Sequence, residues 1–269
     1  MDDEELISVS PRHSVRLERE YVAFVRRAPR QDFVVRTITR REANGMPLMS
    51  AEVVIAGYDT RKEYPLAQQY PLHFRKTYYP GRLHGDPKEE FERQTEANAL
   101  VNVLPPIGFA ADTFRSCLLP GMPYSRLSPF NADPDETNLG RARKLQLAQA
   151  AGLWSLLERA FVDLKKLHDG GICHGDTELH NFIVCPSPLE IVMIDFEASQ
   201  RKTDLKEELW TKRLAADLAP LLKEAVFLQC CLGPQPGELA DLSRTRLGEL
   251  FKDPERYRQE ISNQAAPPA

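Results

Sequence analysis

The chain has 269 residues, 42% of them hydrophobic and 28% charged, which is ordinary for a folded globular protein and enough for one large domain or two small lobes. Its net charge of −4 gives no global pull toward nucleic acid or an anionic membrane, and no apolar run approaches the ~20 residues needed to span a bilayer. The acidic start, Met1-Asp2-Asp3-Glu4-Glu5, argues against a secretory signal or transit peptide. The five cysteines, at 117, 173, 185, 230 and 231, contain no Cys-x-x-Cys and are odd in number. They read as buried or free thiols in a reducing compartment, hence a cytoplasmic protein. One stretch departs from the average: residues 11–50 carry nine Arg and no Lys against four acids. That is either a solvated surface or a patch for a phosphorylated or acidic partner.

Residues 1–30 are charged and show no clear pattern. Residues 32–38 read as a strand, followed by a turn at Ala43-Asn44-Gly45-Met46-Pro47 and a second strand over 48–56. Residues 70–79 alternate, with Leu72, Phe74 and Lys76 on one face. Asp86-Pro87-Lys88-Glu89 is a capped helix start, and the helix is expected to run to Leu104 and stop at Pro105-Pro106. A short strand over 114–119 precedes the break at Pro120-Gly121-Met122-Pro123. Asp133-Pro134-Asp135-Glu136 is a second capped start. Leu153, Leu157, Phe161, Leu164 and Leu167 then fall on one face of a core helix that Gly170 and Gly171 terminate.

The next run is His174-Gly175-Asp176-Thr177-Glu178-Leu179-His180-Asn181, and Ile194-Asp195-Phe196-Glu197 follows. Between them, 182–185 and 191–194 read as two short apolar strands joined by a turn at Pro186-Ser187-Pro188. Asn181 would begin one strand of this hairpin and Asp195 would end its partner, so the two become neighbours. An Asp, an Asn five residues on and a second Asp nineteen residues after the first form the layout of a phosphoryl-transfer site. One carboxylate takes the proton of an attacking hydroxyl, while the Asn and the other carboxylate are oxygen ligands of the kind magnesium prefers. Beyond the hairpin the chain is charged to about Leu209. A helical stretch through 214–219 meets Pro220, which is expected to kink or restart it. Short helices near 238–251 and 254–263 complete the chain before a disordered tail at 264–269.

This segment resembles the catalytic and metal-binding loops of the protein-kinase-like superfamily. The His-Gly-Asp and Asp-Phe-Glu forms are similar to its atypical members: aminoglycoside phosphotransferases, choline kinases, lipopolysaccharide Kdo kinases and RIO-type kinases. The resemblance is strong over 164–199 and traceable over 33–131. It implies an α+β, two-lobed protein-kinase-like fold. A small antiparallel-sheet N-lobe would span 31–120 and a mostly helical C-lobe 121–263, after an N-terminal extension at 1–30. The lobes would join at 118–124.

The resemblance also implies roles. Asp176 would be the catalytic base, Asn181 and Asp195 the Mg2+ ligands, and ATP the phosphoryl donor. Lys76 would bind the ATP phosphates. Glu96 is the first choice for its helix partner, because Ala99, Leu100 and Val103 follow at helical spacing; Glu89, Glu90 and Glu92 compete for that role. His174 would be scaffold rather than acid or base. Asp217 would either bond the catalytic-loop backbone or face solvent near Pro220. Glu197 would touch a second metal or an acceptor, or simply end a strand. Two departures bear on activity and substrate. No Gly-x-Gly-x-x-Gly lies between the first two strands, where backbone N–H groups would approach phosphate. Glu178 stands where ordinary Ser/Thr kinases carry a Lys, and no Ala-Pro-Glu follows Asp195. Three readings stay open: a kinase for a hydroxyl of a small molecule or glycan, an atypical protein kinase, and a pseudokinase scaffold. Oligomeric state is not readable.

Overall fold

The computed structural model describes residues 4–43, 46–79, 86–128 and 152–252. It opens with a hairpin, β1 (Glu4–Ser8) and β2 (Ser14–Glu18), followed by helix α1 (Arg19–Arg27). These residues are hard to assign from sequence because each strand has five residues and α1 only nine, with Val22 and Val25 as its buried pair. Together with Ile7 and Val9 those two side chains pack on Ile55 and Leu72 of the sheet below. The Leu118 N–H donates to the Val9 carbonyl at 3.1 Å, which ties the turn of the hairpin to the same sheet.

That sheet has five antiparallel strands in the order β3-β4-β5-β7-β6. They are β3 (Phe33–Ala43), β4 (Met46–Ile55), β5 (Leu72–Tyr78), β6 (Pro106–Ala110) and β7 (Thr113–Cys117). Helices α2 (Tyr58–Glu63) and α3 (Pro65–Gln69) interrupt the chain between β4 and β5. Neither is legible in sequence, because six and five residues are too short for a helical period. Helix α4 (Pro87–Leu100) starts where expected: Asp86 Oδ1 accepts the Lys88 N–H at 2.8 Å, and Pro87 fills the first turn. It stops earlier than expected, since Val101 is extended and the Gln94 and Asn98 side-chain amides bind the carbonyls of Leu104 and Val103. The freed chain makes the edge strand β6, where Pro106 is tolerated.

The second part is mostly helical. After β8 (Met122–Pro123) come α5 (Leu153–Asp169), β9 (Ile172–Cys173), β10 (Phe182–Pro186), β11 (Leu189–Met193), β12 (Gln200–Arg201), α6 (Glu207–Leu232) and α7 (Glu238–Lys252). The core lies around α5, which buries Leu153, Leu156, Leu157, Ala160, Phe161, Leu164 and Leu167. Of the two expected outcomes at Pro220, a fresh start does not occur: α6 continues through it as one helix of 26 residues. The lost N–H is offset by packing, because Leu221, Ala225 and Leu228 just beyond it are fully buried against the α5 core.

The architecture is therefore α+β and two-lobed. No helix among the described residues is long and apolar enough to cross a membrane. The expected turn residues Asn44 and Gly45, the helix start at 133–136, the helix at 254–263 and the tail all lie outside the described residues.

Candidate active site

The hairpin behaves as its pattern predicts. Phe182 pairs with Met193 in antiparallel register, and one step further the Ile194 N–H donates to the Asn181 carbonyl at 2.9 Å. Asn181 and Asp195 therefore meet at the open end of β10 and β11. Asn181 is buried, and its Nδ2 donates to the Asp176 carbonyl at 3.0 Å. That commits the nitrogen end of the amide and leaves Oδ1 as the atom able to face a cation. Asp195 sits in the left-handed region, at φ 65° and ψ 69°. A non-glycine residue held there costs on the order of 1–3 kcal/mol and persists when its surroundings over-determine it, as happens at functional sites. Asn181 Oδ1 and the Asp195 carboxylate are hard oxygen donors, the set that fits Mg2+.

The loop before the hairpin is held from behind by one buried carboxylate on α6. Asp217 accepts the His174 N–H at 2.7 Å and the Gly175 N–H at 2.8 Å, and lies 3.0 Å from His168 Nε2. Its own carbonyl takes the Thr177 hydroxyl at 2.6 Å. Burial pushes the pKa of His174 down, against the pull of Asp217 and Asp195. The neutral ring then fits one tautomer: Nε2–H donates to the Ile194 carbonyl at 3.0 Å, and Nδ1 accepts the Asp176 N–H at 3.3 Å. The ring also packs 4.7 Å from that of Phe196. These contacts link the loop to the open end of the hairpin, the arrangement of a scaffold residue. Gly175 has φ +84°, and a Cβ there would lie 2.2 Å from the Ala198 carbonyl oxygen, so no other residue fits. Asp176 is half-buried, and its N–H and carbonyl are both bound, the latter by Asn181.

Lys76 reaches the same place from β5. Its Nζ lies 2.7 Å from Asp195 Oδ1, 2.7 Å from Glu197 Oε2 and 3.4 Å from Glu90 Oε1. Burial opposes its charge, but these carboxylates outweigh burial and hold its pKa well above that of an ordinary lysine. Burial raises the Glu90 carboxyl to about 7, partly countered by Lys76. The Tyr78 hydroxyl bonds the other Glu90 oxygen.

The expected partner Glu96 needs correcting. It is exposed and forms a two-pronged pair with Arg201, at 2.7 and 2.9 Å; Glu90 is the α4 residue against Lys76. No apolar stripe marks the inner side of α4, because its buried face includes Glu90, Gln94 and Ala97 and Val103 lies past the end of the helix. Glu90→Ala is expected to cost about 3 kcal/mol, as a buried charge pair losing one member. Glu96→Ala should cost less than about 1 kcal/mol, as for a surface pair. Urea unfolding of both variants checks the order.

The model of the lipopolysaccharide kinase (Kdo/WaaP) family matches residues 153–241. The match begins at α5, ends inside α7 and spans Asp176, Asn181, Asp195 and Asp217; Lys76 and Glu90 lie before it. No curated protein matches the chain.

Proposed function

We propose, for a chain that belongs to the atypical branch of the protein-kinase-like superfamily and is a phosphotransferase, that it moves the γ-phosphoryl group of ATP to a hydroxyl of a sugar or related small molecule with the help of Mg2+. The observation that carries this is the meeting of Asn181, Asp195 and Lys76 at the open end of one hairpin, with Asp176 on the loop beside them. Asp176 would accept the proton of the attacking hydroxyl and orient it in line. Lys76 is the cation that phosphate oxygens would meet, and Glu90 keeps it charged and in place. Asn181 and Asp195 would hold the metal, which when bound neutralises charge developing on the phosphates. Burial of Lys76 favours strong interactions there, because little water screens them.

The family name supports a sugar acceptor, and so does Glu178 at the position where peptide kinases keep a Lys. Free thiols at Cys117, Cys173 and Cys185 suit the cytoplasm, where ATP is supplied. The protein-kinase reading keeps the same site with a different acceptor. The scaffold reading rests on the missing glycine-rich motif. Purified protein incubated with γ-labelled ATP and Mg2+, with and without a panel of sugars, separates them. Label moving to a sugar is the expected result. Label on the protein itself supports the second reading. Nucleotide-dependent melting with no turnover supports the third.

A further inference from the structure

A second group of ligating side chains lies on the opposite end of the same hairpin. Cys185 on β10 and Glu190 on β11 are direct cross-strand partners, so their side chains share one face. His13, from the turn between β1 and β2, meets them there. One ligand atom from each of the three lies within 4.8 Å of the other two, and all three residues are buried.

The surroundings orient these groups as outer partners orient the ligands of a metal site. The Ser10 hydroxyl lies 2.7 Å from His13 Nδ1. In the tautomer that carries its proton on Nδ1, the ring offers its Nε2 lone pair to a cation. On Glu190, Oε2 is taken by Asn102 Nδ2 at 2.9 Å and by Arg12 at 3.2 Å. The two atoms left over, His13 Nε2 and Glu190 Oε1, are buried and face each other as a pair 2.7 Å apart, without an aligned hydrogen bond. Both point into the space that the Cys185 sulfur also borders.

We propose that His13, Cys185 and Glu190 form a binding site for a zinc-like divalent cation. One nitrogen, one sulfur and one carboxylate oxygen match the donor types of Zn2+, with a fourth position for water. Zn–ligand bonds of about 2.0–2.3 Å place tetrahedral ligand atoms roughly 3.3–3.7 Å apart, so on binding His13 Nε2 and Glu190 Oε1, 2.7 Å apart here, open to admit the ion between them, within reach of the Cys185 sulfur. The thiol loses its proton to solvent as the Zn–S bond forms. Such a cation would join the N-terminal hairpin, which rides on the five-stranded sheet, to the hairpin that carries Asn181 and Asp195. It would brace the candidate active site from behind without touching substrate.

Cobalt is the probe. Full-length chain stripped with chelator and then titrated with Co2+ in excess Mg2+ should bind one equivalent and show a near-ultraviolet thiolate-to-cobalt band. Cys185→Ser should abolish that band, while Cys173→Ser should keep it. Competition with Zn2+ should show Ser10→Ala weakening binding by about 10–100-fold, the usual loss for an outer partner, and His13→Ala by more. A wild-type protein with no thiolate–cobalt band, or a band that survives in Cys185→Ser, overturns the site. So does unchanged affinity in His13→Ala and Glu190→Gln. The wild-type spectrum decides even if a variant fails to fold.

Discussion

Asp176→Ala is expected to lower phosphoryl transfer by about 10²–10⁴-fold, the range for loss of a general base, while leaving thermal stabilisation by ATP and Mg2+ largely intact. The two effects separate because the Asp176 backbone is fixed independently of its side chain. Its N–H is held by His174 and its carbonyl by Asn181, so truncation removes the carboxylate without releasing the loop. Asp195→Ala provides the contrast. Its carboxylate contacts Lys76 and stands next to Asn181, so nucleotide stabilisation and turnover should fall together. Single-turnover transfer assays paired with melting curves read both quantities. Near-normal turnover in Asp176→Ala would mean that another group takes the proton.

Asp217→Ala is expected to destabilise the protein by about 3–5 kcal/mol, as when one member of a buried polar or charged set is removed. The His174 and Gly175 N–H groups lose their acceptor, and His168 loses its neighbour. For a chain of this size the loss corresponds to a melting temperature roughly 10 °C lower. Activity should fall as well, because the candidate catalytic loop is anchored to α6 through this carboxylate. Asp217→Asn keeps one acceptor oxygen but turns an NH2 toward a donor, so an intermediate loss is expected. Calorimetry across the three proteins tests that order. Equal stability of Asp217→Ala and wild type would show that the loop is held by something else.

What the sequence revealed follows the range of the interactions. The hairpin with Asn181 and Asp195 was legible because every determinant is local: two short apolar runs, a turn between them and polar residues at matching ends. The alternation of β5 put Lys76 on one face with Leu72 and Phe74, and the resemblance to kinases singled it out. Glu90 was not, because the helix face that meets Lys76 is polar and a hydrophobic stripe points elsewhere. Asp217 was half legible: its helix pattern was visible, but its bonds to His174 and Gly175 cross more than forty residues of chain and leave no spacing signature. The continuation of α6 past Pro220 was hidden for a related reason. Local propensity forbids it, and tertiary burial of Leu221, Ala225 and Leu228 overrules propensity. His13, Cys185 and Glu190 form no motif at all, since the fold alone brings His13 to the back of the hairpin.

The Arg201–Glu96 pair carries a consequence for how the enzyme responds to its medium. Arg201 lies on β12, which pairs with β9 at the entrance to the catalytic loop, so this contact straps helix α4 to the loop from outside. Both partners are solvated, and dissolved ions screen such attractions over about 8 Å at physiological ionic strength. The Lys76 cluster, reached by far less water, is shielded from the same ions. Rising salt therefore weakens the outer strap and spares the inner one, so the tie between α4 and the loop is the contact that electrolyte tunes.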